Sequence, residues 1–94
     1  MVSERHVEWS VDEDILWGRN TDLAAVAEPG FWLEGDKAGL RGRLHLTEDG
    51  AAVLEMGEAQ ILFDVAAAPP RSVDGAWVQI RVAADCVGLW PYQV

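Results

Sequence analysis

Apolar and polar residues alternate most regularly between residues 40 and 65, where the pattern predicts three antiparallel strands. In the first strand every second position is apolar or glycine: Leu40, Gly42, Leu44 and Leu46. Residues 51–56 and 59–65 continue with the same period of two. This is the period of a strand that buries one face and leaves the other in solvent. We therefore expect a three-stranded meander with one apolar face.

The turn between the first two strands decides their register. Residues 48–50, Glu-Asp-Gly, suit a three-residue loop with Gly50 in the left-handed conformation, and a two-residue loop is the alternative. The longer loop places Leu44 opposite Leu54, whereas the shorter one places Leu44 opposite Glu55. Because a slip of one residue moves every side chain to the other face, the three-residue loop is predicted.

A second turn, Gly-Glu at residues 57–58, predicts a tight two-residue hairpin. It places Leu54 opposite Ile61, so the apolar face continues across all three strands. On the outer face Arg43 then falls opposite Glu55. An exposed cross-strand pair contributes only about 0.2–1 kcal/mol, so this pair serves as a check of register and not as a source of stability.

The segments before the meander are less regular. Residues 5–11 alternate as a strand that turns Val7, Trp9 and Val11 inward, and residues 15–17 predict a second short strand that forms a hairpin with it. Residues 20–22, Asn-Thr-Asp, favour the start of a short helix through Ala27, with an irregular loop as the alternative. Residues 31–33 form an apolar run too short to classify.

Two strands are predicted after the meander. The proline pair at residues 69–70 forbids a continuing strand or a long helix, so residues 66–75 are expected to be a connection. Residues 76–82 alternate as a fourth strand, and residues 87–92 predict a last one. Pro91 confines that last strand to a sheet edge or to its own end.

Three strands in a meander, a connection and two more strands resemble the plan of an OB-fold barrel, over residues 38–94 and in architecture only. An SH3-like barrel or an open antiparallel sheet fits the same plan. The expected fold class is therefore mainly β, a small antiparallel barrel, OB-like or SH3-like, with at most one short helix. We expect one domain over residues 1–94, in which an acidic hairpin or arm, residues 1–36, accompanies a five-strand core, residues 38–94.

Charge and composition limit the classes of binding partner, and the cellular compartment, that we expect for this chain. The chain of 94 residues carries a formal charge of −9, and residues 1–36 hold nine of its 16 acids. An acidic chain gains nothing from the counterion release that drives general nucleic-acid binding, and an anionic membrane repels it. One cysteine permits no internal disulfide, and the first residues lack the apolar core of a secretion signal, so we expect a cytoplasmic protein. Six arginines against one lysine are typical of a high-GC bacterium.

No pattern points to catalysis, a metal or a cofactor. The acidic run at residues 12–14 lacks the EF-hand spacing, because Trp17 stands where glycine is required, and a solvated turn is the expected structure. Gly35, Gly39 and Gly42 lack the spacing of a phosphate-binding loop. Cys86 has no neighbouring base and is expected to behave as a small apolar residue. An enzyme is therefore the weakest hypothesis.

One candidate binding patch depends on the barrel. If the first meander strand pairs with the fourth predicted strand, it brings together six polar and aromatic residues: Arg41, Arg43, His45, Trp77, Gln79 and Arg81. An exposed tryptophan beside guanidinium groups is a surface on which planar or anionic ligands stack. The simpler interpretation, preferred on sequence alone, is an ordinary exposed face whose arginines balance Glu55 and Asp64.

These observations favour a non-enzymatic module that binds another protein or a second copy of itself, with Val53, Leu62 and Trp77 as exposed contacts. Single-stranded nucleic-acid binding through the patch is the first alternative. An immunity or inhibitor protein, whose acidic N-terminal third blocks a basic enzyme, is the second. No cofactor and no membrane partner are expected.

Overall fold

Nine β-strands and two short 3₁₀ turns make up residues 6–92, the part of the chain that the computed structural model describes, with side chains described for residues 9–88. The strands are β1 His6–Val11, β2 Ile15–Leu16, β3 Thr21–Leu23, β4 Gly30–Glu34, β5 Lys37–Leu46, β6 Ala51–Met56, β7 Ala59–Ala67, β8 Trp77–Ala83 and β9 Val87–Tyr92. The 3₁₀ turns are Arg71–Val73 and Ala84–Cys86. Within residues 6–92 there is no α-helix, and none of the described elements is a helix long and apolar enough to cross a membrane.

Six strands form a nearly closed, barrel-like sheet in the order β2-β7-β6-β5-β8-β3. An isolated bridge between Trp17 and Thr21 links the two ends of this order. The β2–β7 pair is parallel and the other pairs are antiparallel, so the sheet is mixed. The predicted class, a mainly β protein with a small barrel, is confirmed, and the parallel pair is the feature that the sequence did not indicate.

The register of the meander is the predicted one. Leu44 lies opposite Leu54, and Leu54 lies opposite Ile61. Both turns use a glycine with positive φ, +90° at Gly50 and +62° at Gly57, where a Cβ would be strained. The three-residue loop was therefore the correct choice over its two-residue alternative.

The core lies on the concave side of this sheet. Its largest fully buried apolar side chains come from five of the strands: Ile15, Leu40, Leu44, Leu54, Ile61, Phe63, Val78, Ile80 and Val82. Burial of one such side chain contributes about 1.5–3 kcal/mol, so the inward positions of the meander and of β8 hold the fold together. Ile15 shows that the N-terminal third also supplies core.

The helix predicted for residues 20–27 is wrong. Thr21–Leu23 instead forms β3 and pairs with β8. The Asn20 side chain does accept a backbone N–H, but the donor is Leu16, four residues earlier, at 2.8 Å, and the Asn20 amide donates to the Asp14 carbonyl at 2.9 Å. The Asn20 side-chain amide, which could cap a helix, instead holds a tight turn, because the strands before and after this turn, β2 and β3, pair with other strands of the sheet.

The predicted hairpin between residues 5–11 and 15–17 is also wrong. β1 pairs antiparallel with β9, and β2 pairs parallel with β7. Two of the intervening acidic residues are bonded to the chain between β8 and β9. Asp12 N–H donates to the carbonyl of Cys86, in the 3₁₀ turn after β8, at 2.9 Å, and Glu13 accepts the N–H of Ala83, the last residue of β8, at 3.1 Å. These bonds turn the chain out of one sheet and into the other.

The last strand, residues 87–92, forms as predicted but lies outside the barrel-like sheet. β9 and β1 make a two-stranded ribbon, and β2 and β3 occupy the sheet edges instead. Trp9, Val11 and Val87 of the ribbon pack against the core. The inward position predicted for Val7 and the side chain of Trp90 lie outside the described residues.

A hairpin of β4 and β5 completes the fold. β5 is long enough to have two partners along the same edge. Its first half pairs with β4, and its second half pairs with β6. The run of residues 31–33 that was too short to classify is therefore the centre of a strand. Phe31 meets the ribbon, because its ring lies 5.1 Å from that of Trp9 in an edge-to-face arrangement.

Candidate binding face

The pairing of β5 with β8 brings together five of the six residues of the predicted patch. Arg41 lies opposite Gln79 and Arg43 lies opposite Trp77, while Arg81 lies opposite Gly39. Their neighbours along each strand, such as Leu40 and Val78, are buried, so these five positions point outward. The predicted juxtaposition is present, and it follows from strand pairing and alternation alone.

His45 lies beyond the last residue of this pairing. β8 ends its pairing at Trp77, opposite Arg43, and His45 lies opposite Val53 of β6. Its Nε2 is 3.0 Å from Oε1 of Glu55, and both side chains are partly exposed. His45 therefore belongs to the surface of the meander and not to the patch.

Trp32 of β4 adds an aromatic surface that the sequence did not indicate. Its indole lies flat on Gly39, where a Cβ would be only 2.1 Å from Cε2. The guanidinium carbon of Arg41 lies 5.3 Å from the centre of the same indole, a cation–π contact. Glycine at position 39 is what allows the tryptophan to approach the sheet.

Two arginines of the face are held by backbone carbonyls. Arg41 Nε donates to the Glu28 carbonyl at 2.8 Å, and Arg43 Nε donates to the Gly75 carbonyl at 3.3 Å. An arginine held through Nε keeps its terminal nitrogens for other acceptors. Among the side chains that the structure describes, the Glu55 carboxylate contacts the His45 imidazole, and no ion pair joins a carboxylate to either arginine.

Two depressions flank this row of residues. A groove of about 200 Å³ is lined by Pro29, Arg43, Glu55, Gly57 and Trp77. A smaller polar hollow of about 30 Å³ is lined by Arg19, Asn20, Asp22, Trp32, Gln79, Ile80 and Arg81. We call the surface formed by Arg19, Trp32, Arg41, Arg43, Trp77, Gln79 and Arg81 the arginine–tryptophan face.

The charge of this face differs from that of the whole chain. It holds four of the seven basic residues of a chain with 16 acids. Two acids border it, Asp22 opposite Gln79 and Glu55 opposite Arg43. The face is thus a local excess of positive charge with two aromatic surfaces. Guanidinium groups can donate paired hydrogen bonds to carboxylates, and indoles can stack on planar groups, so this is the chemistry that the face offers.

The two apolar residues predicted as protein contacts lie elsewhere, on the meander. Val53 and Leu62 are direct cross-strand neighbours on the outer face. Leu62 is 67% exposed, whereas Val53 is partly buried. A single exposed leucine is ordinary on a protein surface, so this pair is a smaller feature than the arginine–tryptophan face.

The groups weighed for catalysis or metal binding are dispersed. Asp12 and Asp14 are exposed, and Glu13 is occupied by the Ala83 N–H. Partial burial, followed by the negative charge of Glu13, raises the pKa of the Cys86 thiol. Among the described residues, no three His, Cys, Asp or Glu side chains come together in an arrangement that would hold a metal ion.

Comparisons of the chain with family models, with curated proteins and with solved structures find no match. The functional argument therefore depends on the geometry. The sequence did carry a signal for Trp32: Gly-Asp at residues 35–36 has the Gly-X form of the turn at residues 57–58, and such a turn places Trp32 opposite Gly39. Arg19 carried no such signal, since its position depends on how β3 pairs.

Proposed function

We propose that this protein is a non-enzymatic binding module that uses the arginine–tryptophan face to contact an acidic segment of another protein. The observation that supports it is the gathering of four guanidinium groups and two indoles on one face of a chain with a net charge of −9. Arginine and tryptophan are the side chains most often responsible for binding energy at protein interfaces.

The geometry fits carboxylate ligands in particular. Arg41 and Arg43 are oriented through Nε, so less side-chain entropy is lost when their terminal nitrogens bind a partner. A guanidinium group offers a carboxylate two parallel hydrogen bonds. The groove beside Trp77 and the indole of Trp32 provide apolar surface for the carbon atoms next to those carboxylates.

Single-stranded nucleic acid is the second candidate, because the same face offers stacking surfaces beside cations. Trp32 is already covered on one side by Arg41, and Trp77 is partly buried, which reduces the ring area open to a base. The chain's overall charge opposes a polyanion at long range. An OB-like use of the barrel belongs to this second candidate.

The experiment uses tryptophan fluorescence to compare two probes, a glutamate-rich peptide and a short oligothymidylate, at low salt. The proposal expects saturable binding of the peptide that weakens with salt. Changing Arg43 and Arg81 together to Gln should weaken it at least about ten-fold, since each interface contact of this type is worth on the order of 1–2 kcal/mol. Arg71→Gln is the matched control, because Arg71 is exposed but lies in the 3₁₀ turn after β7.

The outcomes separate the candidates. Tighter binding of the oligothymidylate than of the peptide would favour nucleic acid. Binding of neither probe, or equal losses in the Arg71 control and the double variant, would end the proposal. Self-association through Val53 and Leu62 is checked separately by light scattering, where Leu62→Lys should remove any dimer that the arginine variants retain.

A further inference from the structure

β4 has one paired edge and one open edge. The closing pair of its two-residue hairpin is Glu34 with Lys37, and such a pair exchanges both backbone hydrogen bonds. By alternation Gly30 and Trp32 also direct their N–H and C=O groups at β5. The backbone groups of Phe31 and Leu33 therefore point away from the sheet, and within residues 6–92 no backbone partner is bonded to them.

The same two residues expose apolar side chains. Phe31 is 39% exposed and Leu33 is 65% exposed, and both lie on one face of β4. An open edge beside exposed apolar side chains is the arrangement that accepts an added strand: the backbone supplies hydrogen bonds and the side chains supply contact area. Trp9 extends this apolar surface, because its ring meets Phe31 edge to face.

Charge indicates what kind of strand fits. Three exposed acids, Glu28, Glu34 and Asp36, flank the edge at its two ends, and two bases lie beside them, Lys37 opposite Glu34 and Arg41 opposite Gly30, which leaves an excess of one acid. A second copy of this chain would meet repulsion, because two β4 strands paired antiparallel about Trp32 bring the end of each strand that adjoins Glu28 close to the end of the other that carries Glu34 and adjoins Asp36. A strand with basic residues at its ends meets the opposite charge instead.

We propose that the open edge of β4 binds an extended peptide of another protein as an additional antiparallel strand, with alternating β-branched residues and a basic residue near each end. This edge adjoins the arginine–tryptophan face, because Trp32 of that face lies on β4 between Phe31 and Leu33. The two surfaces use different groups, the outward backbone groups of β4 and the guanidinium groups on β5 and β8, and they select ligands of opposite charge.

Amide hydrogen exchange of the ¹⁵N-labelled full chain tests the proposal. The probe is a short capped peptide in which Val and Thr alternate and a Lys stands at each end. At saturation the Phe31 and Leu33 amides should exchange at least about ten-fold more slowly, as newly bonded strand amides do, while the Trp32 and Glu34 amides keep their rates. The same peptide with its valine amides methylated should lose binding, and one with Glu in place of Lys should bind several-fold more weakly.

A matched pair of variants examines the edge itself. Leu33→Pro removes an N–H that faces outward and leaves the bonds to β5 intact, so it should abolish peptide binding. Leu33→Thr shortens the apolar side chain but keeps the N–H, so it should retain binding. If the proline variant fails to fold, the methylated peptide with the unaltered protein answers the same question.

Three results would overturn the proposal. Protection of both the Phe31 and the Leu33 amide in the free protein at low concentration would mean that the chain covers its own edge. Their protection rising with protein concentration alone would mean that a second copy binds there. Equal binding of the methylated and unmethylated peptides would show that no strand is added.

Discussion

The Glu55 carboxylate pairs with His45 and not with Arg43. Arg43 is the direct cross-strand neighbour of Glu55, yet Oε1 of Glu55 lies 3.0 Å from Nε2 of His45, and Arg43 Nε donates to the Gly75 carbonyl. Register alone therefore does not decide which charged groups meet on this sheet. The consequence is that Arg43 stays directed toward the groove beside Trp77.

The coupling between His45 and Glu55 should be small. Both side chains are partly exposed, at 45% and 39%, and water screens a pair of this kind. A double-mutant cycle with His45→Ala and Glu55→Ala, measured by urea unfolding, should give a coupling of less than about 1 kcal/mol. The parallel cycle with Arg43→Ala and Glu55→Ala should give still less. A larger coupling for the arginine pair would contradict the arrangement.

Gly39→Ala should destabilise the fold by displacing Trp32. The added methyl group would lie 2.1 Å from the indole, so the ring must move off β5. We expect a loss of about 1–3 kcal/mol in the free energy of unfolding, together with a change in tryptophan emission. Repeating the substitution in a Trp32→Ala background should remove most of the cost. A cost that persists there would place the strain in the backbone and not in the ring.

Acid should weaken the hairpin loop through Asp49. The hydrogen bond from the Thr47 hydroxyl lowers the pKa of the Asp49 carboxyl below its ordinary value of 3.8. A lowered pKa in the folded state gives stability that is present above the unfolded-state pKa and is lost as the pH falls through the folded-state pKa. NMR titration should show the Asp49 pKa rising in Thr47→Val and staying low in Thr47→Ser, which keeps the hydroxyl.

The Cys86 thiol should react slowly with alkylating reagents at mildly alkaline pH. Partial burial and then the charges of Glu13, Asp85 and Asp12 raise its pKa above 9.0, and only the thiolate reacts. The proton is bound more tightly in the folded state, so the associated stability is present below pH 9 and is lost as the pH rises through the folded-state pKa. Glu13→Gln should speed alkylation by iodoacetamide, whereas Asp14→Asn should not.

The meander was predictable because its information is local. Leu44, Leu54 and Ile61 each belong to a strand in which the buried residues alternate with outward ones, and the glycines at 50 and 57 permit turns that bring these three residues side by side. The alternation of apolar residues, the residues of the turns and the pairs that face each other all depend on residues close together in the sequence. These signals therefore predict the same register without knowledge of any long-range contact.

The N-terminal third was not predictable on the same terms. β2 and β3 are short strands whose partners, β7 and β8, lie far along the chain. Asn20 has the chemistry of a helix cap, and only the pairing of its neighbours shows that it braces a turn. Without knowledge of the partners, a hairpin and a short helix were the expected structures, and both expectations were wrong.

The candidate site could be predicted from the sequence in part. The pairing of Arg43 with Trp77 followed once the first and fourth predicted strands were assumed to be neighbours, and that assumption is confirmed. Trp32 was missed because its run was too short to classify, and the choice of Glu55 for His45 depends on side-chain geometry that no pattern encodes. The ligand of the face remains a proposal.

The bridge between Trp17 and Thr21 has a consequence for biosynthesis. Among the strands made first, β2 pairs with β7, the last strand of the meander, whereas β1 and β3 pair with β9 and β8, which are made after the meander. β1 and β3 thus have no partner while the meander emerges from the ribosome, so we expect the barrel to close only after residues 77–92 have emerged. A ribosome stalled before β8 would hold a chain in which β1 and β3 are accessible to chaperones and proteases.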